Sequence, residues 1–157
     1  MDNGENQSTN ITENKNGYRL DKDEIISGYN SYSRVLQNAV SISTNFLKAF
    51  ISNQSKDTVS IDSTESPLFT NNVKVGFIIA KKKIKKAVLR NRAKRLLKEA
   101  YRLNKYHFRI FQSKTNIVFS LTDNGYQHFI ENQNEKLEFI DREMKSLSDK
   151  IKKKFNK

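Results

Sequence analysis

The chain has 157 residues, no cysteine and a formal net charge of +12 at neutral pH. That length supports one domain with a modest core, and the absence of cysteine excludes a disulfide framework or a thiolate metal site. No apolar run approaches the roughly 18 to 20 residues of a membrane-spanning helix. The opening MDNGENQSTNITENK is polar and partly acidic, without an apolar core, so we expect no secretory signal, a cytoplasmic protein and no membrane partner.

Residues 1–17 lack periodicity and apolar content and read as a disordered tail ahead of a domain over 18–157. From Asp21 the pattern turns helical, with Ile25, Tyr29, Tyr32 and Leu36 recurring at three- and four-residue steps and Gly28 as the weak point. Val40 and Ile42 predict a short strand. Phe46, Lys48 and Phe50 then alternate with Leu47, Ala49 and Ile51, predicting a longer strand with two distinct faces. One face would set two aromatics around a lysine, so that a base could stack on a ring while the ammonium neutralises phosphate. A sheet covered on both faces would give the same pattern. Residues 53–72 are rich in Ser, Thr and Asn, hold the only proline (Pro67), and read as a flexible loop.

The next stretch, Val73 to Lys105, dominates the charge. A strand over Val75–Ala80 places Val75, Phe77 and Ile79 on one face and Lys74, Gly76, Ile78 and Ala80 on the other. Gly76 and Ala80 suggest a shallow floor that something approaches closely. A helix follows. Leu89, Ala93, Leu96, Leu97, Ala100 and Leu103 fall on one arc, and Arg90, Asn91, Lys94, Arg95, Lys98 and Arg102 on the other side. Lys81 to Lys105 holds twelve Lys or Arg against one acid, Glu99, and so carries +11 of the chain's +12. A solvated helix face normally mixes signs, because like charges at i,i+4 cost roughly a few tenths of a kcal/mol each. Here Lys86, Arg90, Lys94 and Lys98 repeat at i+4 with no acid between them. Tolerated repulsion of this kind points to a polyanionic partner.

Asn116 to Leu121 predicts a further strand, and Thr122-Asp123 a helix cap opening a carboxy-terminal helical region over 123–157. There Leu137, Ile140, Met144, Leu147, Ile151 and Phe155 form an apolar stripe expected to pack on the domain. The Lys152-Lys153-Lys154 run adds nonspecific phosphate attraction. Catalytic signatures are lacking. His107 and His128 stand outside any metal-ligand spacing, and there is no phosphate loop or nucleophile elbow. Glu99 lies within ion-pairing reach of Arg95 and Arg102, while Asp141 and Glu143 read as solvated. The sequence therefore describes a binding protein with no small-molecule substrate.

The ordered run Lys81-Lys82-Lys83, then Lys86-Ala87-Val88-Leu89-Arg90-Asn91-Arg92-Ala93-Lys94-Arg95-Leu96-Leu97-Lys98-Glu99-Ala100-Tyr101-Arg102-Leu103, resembles the signature of the protein subunit of bacterial ribonuclease P. The match covers about thirty consecutive positions with the strand in front, and departs from the family at Ala80, Lys98 and Tyr101. The resemblance implies an α+β fold, a single-domain α/β sandwich in the order helix, three strands, helix, strand, helix, with a left-handed β-α-β crossover. It implies an RNA-binding subunit of an endoribonuclease that removes the 5′ leader of precursor tRNA. The catalytic centre and the Mg²⁺ would lie on the partner RNA, with no catalytic residue or metal on this chain. RNA contact is then expected from Lys81, Lys82, Lys86, Arg90, Asn91, Arg92, Lys94, Arg95, Lys98 and Arg102. The leader is expected in a cleft between the basic helix, the sheet and the first helix, reached by Tyr32, Lys48 and Phe50. Leu36 replaces a family aromatic, Thr122-Asp123-Asn124 stand where an Arg is frequent, and 53–72 resembles an insertion. Two other classes remain open: a ribosomal or general RNA-binding protein, and an interaction module working through the Leu147 stripe.

Overall fold

The computed structural model describes residues 19–53, 73–111 and 113–155; the expected tail over 1–17 and the loop beyond Asn53 lie outside them. Four strands form one sheet: β1 (Val40–Ser43), β2 (Leu47–Asn53), β3 (Val73–Phe77) and β4 (Thr115–Leu121). Their spatial order is β1-β2-β4-β3, with β2 antiparallel to both β1 and β4, and β3 parallel to β4. The helices are α1 (Tyr29–Gln37), α2 (Ala87–Asn104), α3 (Asp123–Glu131) and α4 (Leu137–Phe155). This is the expected α+β sandwich, with the carboxy-terminal region divided into two helices.

Strand register separates two faces. Ala49, Phe119 and Phe77 align across β2, β4 and β3, as do Ile51, Ile117 and Val75. These rows meet Ala93, Leu97, Ala100 and Tyr101 of α2 and Ile140, Met144, Leu147 and Ile151 of α4 in the main core. The carboxy-terminal stripe thus packs within its own domain, buried from Ile140 to Ile151 and partly buried at Leu137 and Phe155, which disfavours the interaction-module reading. On the other face Phe50, Val118 and Gly76 align. There Val118 joins Ile26 and Val35 of the α1 segment, with Tyr32, Phe50 and Ile78 packed around them. Alternating burial along β2 follows from this two-sided covering, since Leu47, Ala49 and Ile51 are buried and the residues between them only half so.

The amino-terminal helix is shorter than the periodicity predicts. Lys22–Glu24 form a single 3-10 turn, Ile25 bridges to Val75, and the Ile26 amide donates to the Val75 carbonyl at 2.8 Å. Gly28 then adopts φ 89°, a conformation an L side chain rarely takes, and α1 begins at Tyr29. Here the β-type pairing of Ile25 and Ile26 overrides their helical spacing. In α2 the buried arc is rotated from the predicted one. Leu103 is 42% exposed, whereas Tyr101 and Asn104 are buried. Tyr101 fills the space beside Phe77, Phe108 and Phe119, at ring separations of 5.3 to 6.3 Å. Burial, and next the charge of Glu24, push its hydroxyl far above the usual phenol range.

Polar groups tie the elements together. Asp141 and Glu143 are engaged and not simply solvated: Asp141 accepts from Asn104 and pairs with Lys145, and Glu143 accepts from the Thr44 hydroxyl at 2.9 Å. Lys105 is withdrawn from the basic surface altogether. Its side chain is 7% exposed, pairs with Glu24, and donates to the Arg19 carbonyl at 3.0 Å. Removing one member of such a pair strands the other charge in a dry site. Lys105→Met should therefore lower stability by on the order of 3 kcal/mol, and Lys105→Met with Glu24→Gln should regain much of it. Urea denaturation of the single and double variants measures both.

Candidate nucleic-acid interface

The basic surface is assembled by the crossover from β3 into α2. After β3 the Ile78 amide still donates to the Phe119 carbonyl, and the chain then turns, with the Lys83 and Ile84 amides donating to the Ala80 carbonyl. Ile84, 2% exposed, plugs the turn into the core. Around that anchor Lys81, Lys82, Lys83, Lys85 and Lys86 are all exposed. Arg90 closes the turn from below, one guanidinium nitrogen donating to the Ile84 carbonyl at 2.9 Å and the Lys85 carbonyl at 2.7 Å. Five ammonium groups are thereby held on a short, fixed segment.

Along α2 the predicted cations divide into two groups. Lys94, Arg95 and Lys98 are exposed, as is Asn91, and the lysines and Arg95 make no ion pair among the described residues. Lys81, Lys82 and Lys86 share that property. Arg92 faces inward: it donates to the Glu135 carbonyl at 2.8 Å, and its Nε is buried without a partner. Arg102 forks onto Glu99 through two hydrogen bonds of 3.0 and 2.5 Å. The expected ion pair of Glu99 is therefore with Arg102. Hydrogen bonding from Arg102 holds the Glu99 carboxyl below its usual range, and the same bond raises the guanidinium. Of the ten residues predicted for RNA contact, Arg90, Arg92 and Arg102 are already engaged by the fold, and the other seven project outward. Lys83 is drawn aside by Asp123 at 3.0 Å.

The aromatic cleft is built differently from the prediction. Because α1 and α2 cover opposite faces of the sheet, α2 does not wall it. A groove of about 500 Å³ runs between α1 and the sheet, lined by Tyr29, Tyr32, Ser33, Leu36, Gln37 and Ile78. Tyr32 is thus in place. Its ring lies against Gly76, where a Cβ would come within 2.5 Å of Cε1, so the close approach expected at Gly76 is by a side chain. Phe50 belongs to the apolar cluster beneath and does not line the groove; Lys48 sits with its ammonium 5.0 Å from the Phe50 ring centre. Phe46 lies outside β2 and packs against His128 and Phe139, each at 5.1 Å, so the predicted pair of aromatics around Lys48 reduces to one. Tyr29, Ser33 and Gln37 were not predicted. Their i, i+4, i+8 spacing, together with Leu36, was the available signal.

Both histidines are engaged by neighbouring side chains. His128 stacks on Phe139 and pairs with Glu135, and His107 contacts Lys152. No group of three or more His, Cys, Asp or Glu residues able to hold a metal ion occurs among the described residues. No described helix is long and apolar enough to cross a membrane.

The two classes of cation should behave differently on substitution. Arg92→Ala removes a buried donor and should lower stability by about 1–3 kcal/mol. Lys94→Ala and Arg95→Ala, at exposed positions, should stay within about 0.5 kcal/mol of the wild type in urea melts. Glu99→Gln should matter in full above the normal carboxylate range and progressively less below it. A depressed carboxyl contributes stability above that range and loses it as pH falls through its folded value, so the variant should flatten the acid limb by less than about 1 kcal/mol at this exposed pair.

The sequence model of the family described as Ribonuclease P matches residues 20–152. Comparison with curated proteins gives no match. Among solved structures, the ribonuclease P protein of Staphylococcus aureus is similar at 16% identity and a TM-score of 0.57, over 82% of this chain and 95% of that one. The ribonuclease P protein of Thermotoga maritima is similar at 14% identity and a TM-score of 0.57, over 79% and 94%. The same protein in complex with 1-(4-fluorophenyl)-2-thiourea is similar at 15% identity and a TM-score of 0.53, over 74% and 89%. At these identities the structural likeness is one of fold.

Proposed function

The chain belongs to the ribonuclease P protein family, and from that premise we propose that it is the RNA-binding subunit of a holoenzyme that removes the 5′ leader from precursor tRNA. The observation that carries this reading is the outward cationic surface of Lys81, Lys82, Lys86, Lys94, Arg95 and Lys98, with no acid among them. Six cations meeting six phosphates would release enough counterions to lower affinity on the order of a thousandfold between about 50 and 200 mM salt. Arg95 can fork onto phosphate oxygens, and Asn91 can both donate and accept at a base edge or sugar. Arg90 and Arg92 act through placement: one shapes the lysine-bearing turn and the other fixes α2 to the α3–α4 connection. Arg102 adds to the local field less than its charge suggests, because Glu99 neutralises it.

The catalytic RNA and the precursor tRNA are the two partners in this reading. The groove beside Tyr32 takes the single-stranded leader, with Lys48 and Phe50 outside its lining on the same face of the sheet. Hydrolysis draws on Mg²⁺. The donor set of this chain does not fit a dication, since the acids at the basic surface, Glu99 and Asp123, are each paired with a cation, so the ion is assigned to the RNA.

Cleavage of precursor tRNA by the cognate catalytic RNA at low Mg²⁺, with and without this protein, tests the proposal. Wild-type protein should stimulate cleavage and bind precursor more tightly than mature tRNA. Lys94→Ala/Arg95→Ala should reduce the stimulation and lower the slope of log K against log salt by about two. Equal affinity for precursor and mature tRNA, with no stimulation, would favour a general RNA-binding role. Cleavage by the protein freed of RNA would overturn the assignment of catalysis to the RNA.

A further inference from the structure

Tyr29 is 86% exposed, more than any other large apolar side chain among the described residues. Single exposed aromatics are ordinary on protein surfaces, but this one stands at the mouth of the groove that Tyr32 lines. The two tyrosines are three residues apart on α1, so their side chains leave the helix roughly 5–6 Å apart and side by side. They differ in freedom. Tyr32 is half-buried against Gly76 and lines the groove, whereas Tyr29 leaves its ring open to solvent.

The surroundings select the kind of occupant. Neither α1 nor any of the four strands contains an Asp or Glu. Lys48 and Lys74 belong to the strand face that α1 covers, and Arg34 is exposed on α1 itself. Besides the two tyrosine hydroxyls, Ser33 and Gln37 are the polar side chains lining the groove among the described residues. Rings without acids, flanked by cations and poor in hydrogen-bonding groups, suit unpaired bases on a phosphate backbone, held by stacking with little readout of sequence.

We propose that Tyr29 is a second stacking platform, which takes the unpaired base next to the one beside Tyr32 and so makes affinity depend on leader length. This rests on the assignment of the leader to the groove. The site would take any base, and a leader too short to reach Tyr29 would gain nothing from it.

The test uses holoenzyme reconstituted with the cognate RNA, and equilibrium affinities for precursor tRNAs carrying a single-nucleotide or a long leader. Tyr29→Ala and Tyr29→Leu should each weaken long-leader binding by roughly fivefold to a hundredfold, the range of one base–aromatic stack. Tyr29→Phe should bind like the wild type, and the single-nucleotide leader should not distinguish the four proteins. Thermal melts should coincide, since the side chain is exposed. Wild-type affinity for Tyr29→Ala, with a loss for Tyr32→Ala, would overturn the role of Tyr29 alone. Wild-type affinity for Tyr29→Leu would reduce it to an apolar contact and also overturn stacking. Equal loss on both leaders would move Tyr29 to the tRNA body or to an apolar partner. Undiminished leader discrimination in both Tyr29→Ala and Tyr32→Ala would overturn the leader assignment itself.

Discussion

Strand β4 is the member on which the other elements depend. It lies inside the sheet, pairing along its length with β2 and in parallel with β3. Its side chains serve both layers: Ile117 and Phe119 join the core beneath α2 and α4, and Val118 joins the cluster beneath α1. A parallel pair cannot be closed by a tight hairpin and needs a crossover that packs back on the sheet. Helix α2 is that crossover. The position of the cationic surface is therefore a consequence of strand pairing, and a change that loosened β3 from β4 would displace lysines far from the site of damage.

Concentrating so many positive charges opposes folding, and the chain handles the conflict in separate places. Lys105 is matched by Glu24 in a dry site, Arg102 by Glu99, and Lys83 by Asp123. Arg90 and Arg92 each donate to backbone carbonyls, which engages them without cancelling their charge, although the Arg92 Nε keeps no partner. What remains unmatched is the outward set on the turn and along α2. A segment plugged by Ile84 and clamped by Arg90 has already lost much of its backbone freedom before a ligand arrives, so less ordering cost falls on binding.

The basic helix, the two-faced β2 and the buried carboxy-terminal stripe were legible because hydrophobic period and sign of charge act locally. Three features were hidden for physical reasons. Ile25 and Ile26 have helical spacing, yet Val75 offers them backbone partners from fifty residues away, and a periodicity count cannot weigh that. Phe46 continues the alternation of β2 by one step, but Thr44 draws the chain into a turn through the Phe46 and Leu47 amides, and the ring leaves the strand face. Arg92 carries the same charge as its neighbours; only the nearness of the α3–α4 connection makes it a scaffold residue. A sequence displays charge, and the hydrogen-bond geometry decides whether that charge is available.

The opposed placement of α1 and α2 gives the sheet a role as a spacer. In the proposed assembly the catalytic RNA is met on the outer side of α2 and the substrate strand on the far side of the sheet. The interval between them is then one sheet and one helix thick, on the order of 20 Å. Strand pairing and close packing make that interval rigid, whereas a linker of the same length would let it fluctuate. In that assembly the protein would act as a gauge block, its thickness setting how far the substrate strand lies from the partner RNA.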